Sequence, residues 1–143
     1  MKEKVTDFAS LDIQSLNALN KGTLMEQLGI EYLELAEGYI KARMPVDERT
    51  SQPSRRLHGG ASFALAETVG GIGSALLVDL EKYEVRGAQM SGNHLRSVRE
   101  GWVFAEAKLL HRGRNTHIWN IDILDMQGKM VSTYRLTNFI ISK

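Results

Sequence analysis

The sequence has no cysteine, only two prolines and almost no net charge, and each scarcity narrows what the protein can be. Without cysteine the chain has no disulfides, no thiolate nucleophile and no Cys-ligated zinc, which is compatible with a reducing compartment. A formal charge of +1 over 143 residues argues against strong non-specific attraction to nucleic acid. We therefore expect a cytoplasmic protein without a nucleic-acid partner.

A membrane span or a secretory signal is not expected. The first 20 residues start basic but have no long apolar core before a small-residue cleavage site. Residues 61–80 have the length of a membrane helix, yet they include Glu67, Asp79 and three glycines, which are costly or unusual in lipid. A buried helix of a globular protein, without a membrane partner, is the simpler interpretation.

The chain is long enough for one continuous core and short for two, so residues 1–143 are expected to form one domain. Apolar residues at helical spacing between positions 11 and 28 are interrupted near Gly22 and predict two short helices. Thr23 is a candidate N-cap of the second helix, with Glu26 as its capping-box partner.

An alternating pattern follows from residue 30, and Glu37-Gly38 divides it into the two arms of a predicted hairpin. After a polar loop and the long helix, strand-like runs cover residues 83–95, 102–111, 116–124 and 130–141. One long helix with a predominantly antiparallel sheet indicates the α+β class, with the sheet wrapped around the helix.

The long helix within residues 57–78 contains a single carboxylate, Glu67, and no Lys or Arg. At about 100° per residue, its larger apolar residues project onto one stripe that would pack on the sheet, opposite Glu67. The stripe consists of Leu65, Val69, Ile72 and Leu76. An exposed glutamate is the ordinary interpretation, but its neighbours at helical spacing are small and uncharged. They favour a covered, desolvated carboxylate suited to act as a base or nucleophile.

His58-Gly59-Gly60 stands at the start of this helix and offers two backbone N–H groups without side-chain cover. The positive end of the helix dipole lies there, so the segment can bind an oxyanion. An ordinary glycine-rich turn is the alternative, and a single histidine is weak evidence. Together with Glu67, nine residues after His58, the segment indicates an acyl-transfer site.

Three segments carry a resemblance to a known family: Gln52-Pro53, the run LHGGAS at 57–62, and the run LAE ending at Glu67. They closely resemble the hotdog-fold acyl-CoA thioesterases of the PaaI-like group, and the similarity extends over nearly the whole chain. Residues 93–101, NHLRSVREG, resemble the subset that includes 1,4-dihydroxy-2-naphthoyl-CoA, 4-hydroxybenzoyl-CoA and enterobactin-pathway proofreading thioesterases.

The resemblance implies the hotdog fold, dimers joined through a continuous sheet, commonly dimers of dimers, and active sites that lie between subunits. It implies that Glu67 is the nucleophile or the general base that activates water, and that the Gly59 N–H polarises the thioester carbonyl. His58 and Gln52 would orient the acyl group, the leaving thiolate and water. The reaction would need no metal and no cofactor beyond the coenzyme A of the substrate.

The resemblance also implies where the substrate would bind. Gly60 and Gly71 would line it beside Glu67, and coenzyme A phosphates would lie near His94 and Arg96. A second phosphate region would be the turn at Arg112, Gly113, Arg114, Asn115 and Thr116, since Arg holds phosphate through paired charged hydrogen bonds. A solvated basic turn, or a polar cluster between subunits at His94 and Arg96, is the alternative.

One position departs from the family pattern. Close relatives tend to carry Ser or Thr one helical turn after the glutamate, where this sequence has Gly71. Either water takes the place of the missing hydroxyl or the acyl preference differs.

The leading hypothesis is hydrolysis of an acyl-CoA thioester with an aromatic or medium-chain acyl group. A hotdog hydratase or dehydratase acting on acyl thioesters is one alternative, and the HGG and LAE runs fit it less well. A non-catalytic acyl-CoA-binding module is the other, and the complete set of Gln52, His58, Gly59 and Glu67 argues against it.

Overall fold

The structure is a computed structural model that describes residues 7–143. The first six residues of the N-terminal segment, for which no secretory signal is predicted, lie outside the described residues. The described residues form three helices and six strands in the predicted order. They are α1 (Ile13–Ala18), α2 (Leu24–Leu28), β1 (Glu31–Ala36), β2 (Tyr39–Val46), α3 (Gly59–Ala75), β3 (Tyr83–His94), β4 (Gly101–Arg112), β5 (Thr116–Leu124) and β6 (Met130–Ser142).

The six strands form one antiparallel sheet in the order β1-β2-β4-β5-β6-β3, with β3 at one edge. The predicted β1–β2 hairpin turns at Glu37-Gly38, where Gly38 has a φ of 74° that favours glycine. Helix α3 lies across one face of the sheet and contacts β2 to β6. This arrangement confirms the predicted α+β class. Among residues 7–143, no helix has both the length and the apolar composition needed to cross a bilayer.

The face of α3 that lies on the sheet is built mostly from small residues. Large side chains from the sheet fill the space beside them. A Cβ on Gly73 would lie 2.5 Å from the indole ring of the fully buried Trp119, and a Cβ on Gly70 would overlap the side chain of Leu136. Both glycines are therefore required by the close approach of the helix to the sheet. The buried helix residues are Ala61, Ser62, Leu65, Ala66, Val69, Gly70, Gly73 and Ser74.

The predicted apolar stripe packs against the core along its whole length, but its second half lies at the edge of the buried face. Leu65 and Val69 are fully buried, whereas Ile72 and Leu76 are only half-buried. The buried face is rotated toward the small residues of α3, because the bulk of the core at this contact comes from the sheet. A projection weighted by hydrophobicity gives such small residues too little importance.

A buried polar network centred on the Ser74 hydroxyl links α3 to β5 and β6. Trp119 Nε1 and Asn138 Nδ2 donate to Ser74 Oγ at 2.8 and 2.9 Å, and His117 Nδ1 lies 3.0 Å from the same oxygen. Asn138 Nδ2 also donates to the Gly70 carbonyl oxygen at 3.0 Å. Four inward-facing polar side chains are thus held inside an otherwise apolar core.

The two predicted N-terminal helices are present, but the predicted capping box is wrong. Thr23 is the N-cap of α2, yet its hydroxyl donates to the Asn20 carbonyl at 2.6 Å and makes no cap bond to the helix. Glu26 accepts from the Gly22 N–H at 2.7 Å rather than from Thr23. The turn, in which Gly22 has a φ of 75°, directs the Gly22 N–H toward the Glu26 carboxylate. Its Asn20 carbonyl accepts the hydrogen bond from the Thr23 hydroxyl.

Candidate active site

The start of α3 is fixed by His58, whose backbone is extended and whose Nδ1 accepts a hydrogen bond from the Gly60 N–H at 2.7 Å. The prediction that both glycine amides are uncovered is therefore wrong for Gly60, because the imidazole cap occupies its N–H. The Gly59 N–H, in contrast, donates no hydrogen bond to any of residues 7–143. One amide at the positive end of the helix remains available for an oxyanion.

Gly59 lines a cleft of about 370 Å³ that also contains three other predicted site residues, Gln52, His94 and Arg96. The imidazole of His94 lies directly against Gly59, since a Cβ there would be 3.0 Å from both Cε1 and Nε2. Glycine at position 59 thus lets a ring nitrogen approach the N-terminus of α3. An acceptor bound in the cleft would meet the helix amide and the imidazole together.

The His94 ring is held by two aromatic neighbours. Its centroid lies 5.5 Å from that of Phe63 and 6.0 Å from that of Tyr134. The Tyr134 hydroxyl lies 3.4 Å from His94 Nδ1. Burial raises the pKa of Tyr134, so the phenol stays protonated at neutral pH. The cluster orients the imidazole with Cε1 and Nε2 toward the start of α3.

Glu67 lies about 12 Å further along the axis of α3 than Gly59, at 1.5 Å per residue. Its carboxylate makes no hydrogen bond or ion pair with any of residues 7–143. The side chain is exposed, so the cover predicted over this face is not provided by the described part of one chain. An unpaired carboxylate on a face of small residues is nevertheless what the sequence pattern indicated.

One oxygen of Glu67 approaches β3 at Gly87. A Cβ on Gly87 would lie only 2.7 Å from Glu67 Oε1 and 3.8 Å from Asn138 Oδ1. These residues line a cavity of about 410 Å³ together with Gly71. The pairing of β3 with β6 has a bulge between Gly87 and Gln89, immediately beside the cavity. Such bulges commonly re-aim backbone and side chains at sites.

Gly71 borders Glu67 on the next turn of α3. A Cβ there would have no other atom within 4 Å, so the position of the missing hydroxyl is open space. The residue lines both the Glu67 cavity and a second one of about 330 Å³ beside α2. Thr68 does not replace the hydroxyl, because its Oγ1 donates to the Ala64 carbonyl at 2.7 Å.

Arg112, a predicted phosphate ligand, is engaged with the protein itself. Its Nη2 donates to the Leu77 carbonyl at 2.8 Å, just beyond the end of α3. Its Nη1 donates to Glu37 Oε1 at 3.3 Å, on the β1–β2 turn. These bonds place the β4–β5 turn at the opposite end of α3 from Gly59.

Within that turn, the Gly113 N–H donates to the Thr116 carbonyl at 2.8 Å, and the Asn115 carbonyl accepts from the Ile140 N–H at 2.8 Å. Arg114 is exposed and forms no hydrogen bond or ion pair within residues 7–143. The backbone of the turn is therefore rigidly bonded, while the Arg114 guanidinium is free to meet an anion.

The predicted site residues fall into three places on one chain. The cleft at the start of α3 brings together Gln52, Gly59, His94 and Arg96. Glu67 and Gly71 lie together midway along the helix, and the 112–116 turn lies near its end. Within the described residues, no group of three or more His, Asp or Glu side chains is arranged to hold a metal ion.

Two residues near Glu67 were not predicted from the sequence as site residues: Asn138 and Gly87. Asn138 lies between Leu136 and Ile140 in the inward-facing register of β6, and a polar residue at such a position is an unusual signal. Gly87 lies inside a strand pattern, where glycine marks a bulge or a close approach. Both signals were in the sequence, but neither identified Glu67 as the neighbour.

Comparison with known proteins identifies the family. A family model described as the thioesterase superfamily matches residues 56–132, a range that includes Gly59, Glu67 and Gly87. The chain belongs to the thioesterase superfamily. One similar member is the proofreading thioesterase EntH of Cronobacter turicensis, 43% identical over 130 residues, 91% of this chain and 94% of the relative. Another is the 1,4-dihydroxy-2-naphthoyl-CoA hydrolase of Escherichia coli K12, 38% identical over 140 residues, 98% of each chain.

Solved thioesterase structures have the same fold. A mutant thioesterase from Pseudomonas aeruginosa matches with a TM-score of 0.91 at 40% identity, covering 94% of this chain and 96% of its own. A thioesterase from Haemophilus influenzae matches with a TM-score of 0.90 at 41% identity, covering 99% and 96%. The predicted family and hotdog fold are confirmed, and this thioesterase is a thioester hydrolase.

Proposed function

We propose that this thioesterase hydrolyses an acyl-CoA thioester, with an aromatic or medium-chain acyl group, to the free acid and coenzyme A. The observation that carries the proposal is that one helix presents two polar groups without partners. The Gly59 N–H lacks an acceptor and the Glu67 carboxylate lacks a cation among residues 7–143. An oxyanion donor and an unpaired carboxylate are the two elements that acyl transfer needs.

The chemistry assigns one task to each group. The Gly59 N–H, at the positive end of α3, polarises the thioester carbonyl and stabilises the oxyanion that forms on it. Glu67 is the nucleophile or the general base that activates water for attack on the carbonyl carbon. Gln52 and His94 lie in the same cleft as Gly59 and orient the thioester there. The His58 cap holds the helix terminus in place.

The two groups are too far apart for one chain to use both on one carbonyl, because Gly59 and Glu67 lie about 12 Å apart along α3. We propose that a second copy completes the site, placing its Glu67 at the Gly59 cleft of the first. Strand β3 favours this assembly: it is a 12-residue edge strand, and residues 86–89, beneath Glu67, are exposed. Pairing of two β3 edges would form a continuous sheet across a dimer.

The same assembly would join the separated coenzyme A regions. Arg96 lies at the Gly59 cleft, whereas Arg114 lies at the other end of α3. A two-fold axis near the β3 edge would bring the Arg114 turn of one copy toward the cleft of its partner. Arg114, exposed and unpaired among the described residues, would then hold a coenzyme A phosphate.

The direct test is thiol release from a panel of aromatic and aliphatic acyl-CoAs, compared between the wild type and Glu67→Ala. We expect release by the wild type and its loss in the variant, with an unchanged melting curve as evidence of folding. Full activity in Glu67→Ala would contradict the mechanism. Hydration of an enoyl-CoA without thiol release would favour a hydratase instead.

Subunit mixing tests whether the site is shared. Glu67→Ala and Gln52→Ala chains, each inactive alone, are co-expressed with different tags and the mixed dimer is purified. If the site combines residues of two chains, the purified mixed dimer regains about half of the wild-type activity, because one of its two sites is intact. An inactive mixed dimer would mean that both residues act within one chain.

A further inference from the structure

The side-chain amide of Asn138 lies in the core at the edge of the Glu67 cavity. The residue is 1% exposed, and it is one of the cavity-lining residues. Its Nδ2 group is fully used, but Oδ1 is buried without any hydrogen-bond partner among the described residues. A buried acceptor left unpaired costs free energy, so the fold retains it against a penalty.

The hydrogen bond to Gly70 fixes which end of the Asn138 side-chain amide is nitrogen and which is oxygen. Nδ2 donates to the Gly70 carbonyl oxygen at 3.0 Å, and a carbonyl oxygen can only accept. A rotated amide would place two acceptors against each other. Oδ1 therefore faces away from Gly70 and toward Gly87, the residue of β3 that borders the cavity.

Two acceptor oxygens converge on the space beside Gly87. Glu67 Oε1 lies 2.7 Å and Asn138 Oδ1 lies 3.8 Å from the point that a Gly87 Cβ would occupy, so the two oxygens are no more than about 6.5 Å apart. Two acceptors cannot bond to each other while Glu67 is ionised. A molecule with two hydrogens to donate, such as water, can bridge them.

The neighbouring turn of α3 explains why a second acceptor is needed. Position 71, one turn after the carboxylate, has no side chain, and the space around a Cβ there is empty. Position 71 therefore supplies no hydroxyl to help Glu67 hold a water molecule. Asn138 reaches the same cavity from the sheet, on the other side of the carboxylate.

We infer that Asn138 is a positioning residue for the hydrolytic water: its Oδ1 accepts one hydrogen of the water while Glu67 accepts the other. This inference rests on the proposed function. Glu67 takes the proton as the water oxygen bonds to the thioester carbonyl carbon, and the C–S bond then breaks. The proton passes to the departing thiolate, and the acid product releases its own proton to solvent. Glu67 is left ionised, and Asn138 exchanges no proton.

The test replaces the acceptor but keeps a donor for Gly70. Asn138→Thr places a hydroxyl near Nδ2 and a methyl group where no acceptor remains, and Asn138→Ser is the second variant if threonine impairs folding. We expect kcat for the best acyl-CoA substrate to fall by at least about tenfold, with KM changed by less than about threefold. Adding Gly71→Ser should restore part of kcat, because it returns a hydroxyl to the same cavity.

Two controls separate positioning from stability. Ile140→Ala, on the same face of β6, should lower the melting temperature without lowering kcat below the melting range. Tyr32→Phe removes another buried, unpartnered oxygen that lines none of the cavities beside Glu67, and it should leave kcat unchanged.

Each outcome decides the inference. A selective loss of kcat that Gly71→Ser partly restores supports it. Unchanged kcat in a folded Asn138 variant overturns it while leaving the proposed hydrolysis intact, as does an equal loss of kcat in Ile140→Ala. Absence of thiol release by the wild type would overturn the proposed function, and this assignment with it.

Discussion

The two sides of α3 use glycine for opposite purposes. On the buried side, Gly70 and Gly73 have no room for a Cβ, because Leu136 and the ring of Trp119 occupy that space. On the side of Glu67, Gly71 has room for a side chain and carries none. Glycine allows close packing in the first case and leaves a cavity open in the second, so the same residue type marks a core contact and a site.

This difference also separates stability from activity along a single helix. The buried side is held by apolar contacts and by the hydrogen bonds of Ser74. The open side holds an unpaired carboxylate, which contributes no ion pair to the fold of the described residues. Substitutions on the two sides should therefore affect different measurements.

The largest effect is expected from Glu67→Gln. The substitution keeps the shape of the side chain but removes the base, and general-base catalysis contributes about 10²- to 10⁴-fold. We expect kcat to fall by that factor with the melting temperature unchanged within about 2 °C. Thiol release and thermal unfolding, measured on the same preparation, check the expected loss of kcat and the unchanged melting temperature. A clear loss of stability would show that the carboxylate supports the fold.

A substantial loss of stability is expected from Gly73→Ala. The added Cβ would lie 2.5 Å from the buried Trp119 ring, and overpacking of this kind typically costs 1–3 kcal/mol, partly offset by a helix-propensity gain of about 1 kcal/mol. Urea unfolding should give a lower midpoint. A higher midpoint would mean that the indole moves easily, and the contrast between the two sides would fail.

The smallest effect is expected from Gly71→Ala. The methyl group meets nothing in the described chain, and replacing helical glycine with alanine stabilises by about 0.5–1 kcal/mol. For a domain of this size, the melting temperature should rise by about 1–4 °C. A fall in melting temperature would instead show that another surface, such as a second copy, packs closely against this side of α3.

Much of the fold could be predicted from the sequence, because the elements differ in pattern. The Glu37-Gly38 turn and the alternating strands are local signals, and they gave the hairpin and the strand order along the chain. Ile72 and Leu76 lie at the edge of the buried face rather than at its centre, because the shape of the facing sheet decides which side of a helix is buried. No local sequence pattern shows that the Trp119 ring occupies the space where a side chain at position 73 would lie.

The site was only partly predictable for the same reason. Gln52 and Gly59 were predicted to act on the thioester and His94 to lie near a coenzyme A phosphate, and the three share one cleft. The occupation of the Gly60 amide by His58 depends on a single rotamer, which sequence does not specify. Asn138 is 71 positions from Glu67 in sequence, and only the packing of β6 against α3 and its pairing with β3 bring it beside the carboxylate.

The Ser74 network fixes the protonation of one imidazole. A serine hydroxyl has two acceptor lone pairs and one proton, and Trp119 and Asn138 donate to both lone pairs. The proton must therefore point at His117 Nδ1, which makes this histidine the neutral Nε2–H tautomer. Among the four histidines of the chain, His117 should show nitrogen-15 chemical shifts of that single tautomer, and substrate at Glu67 should leave them unchanged.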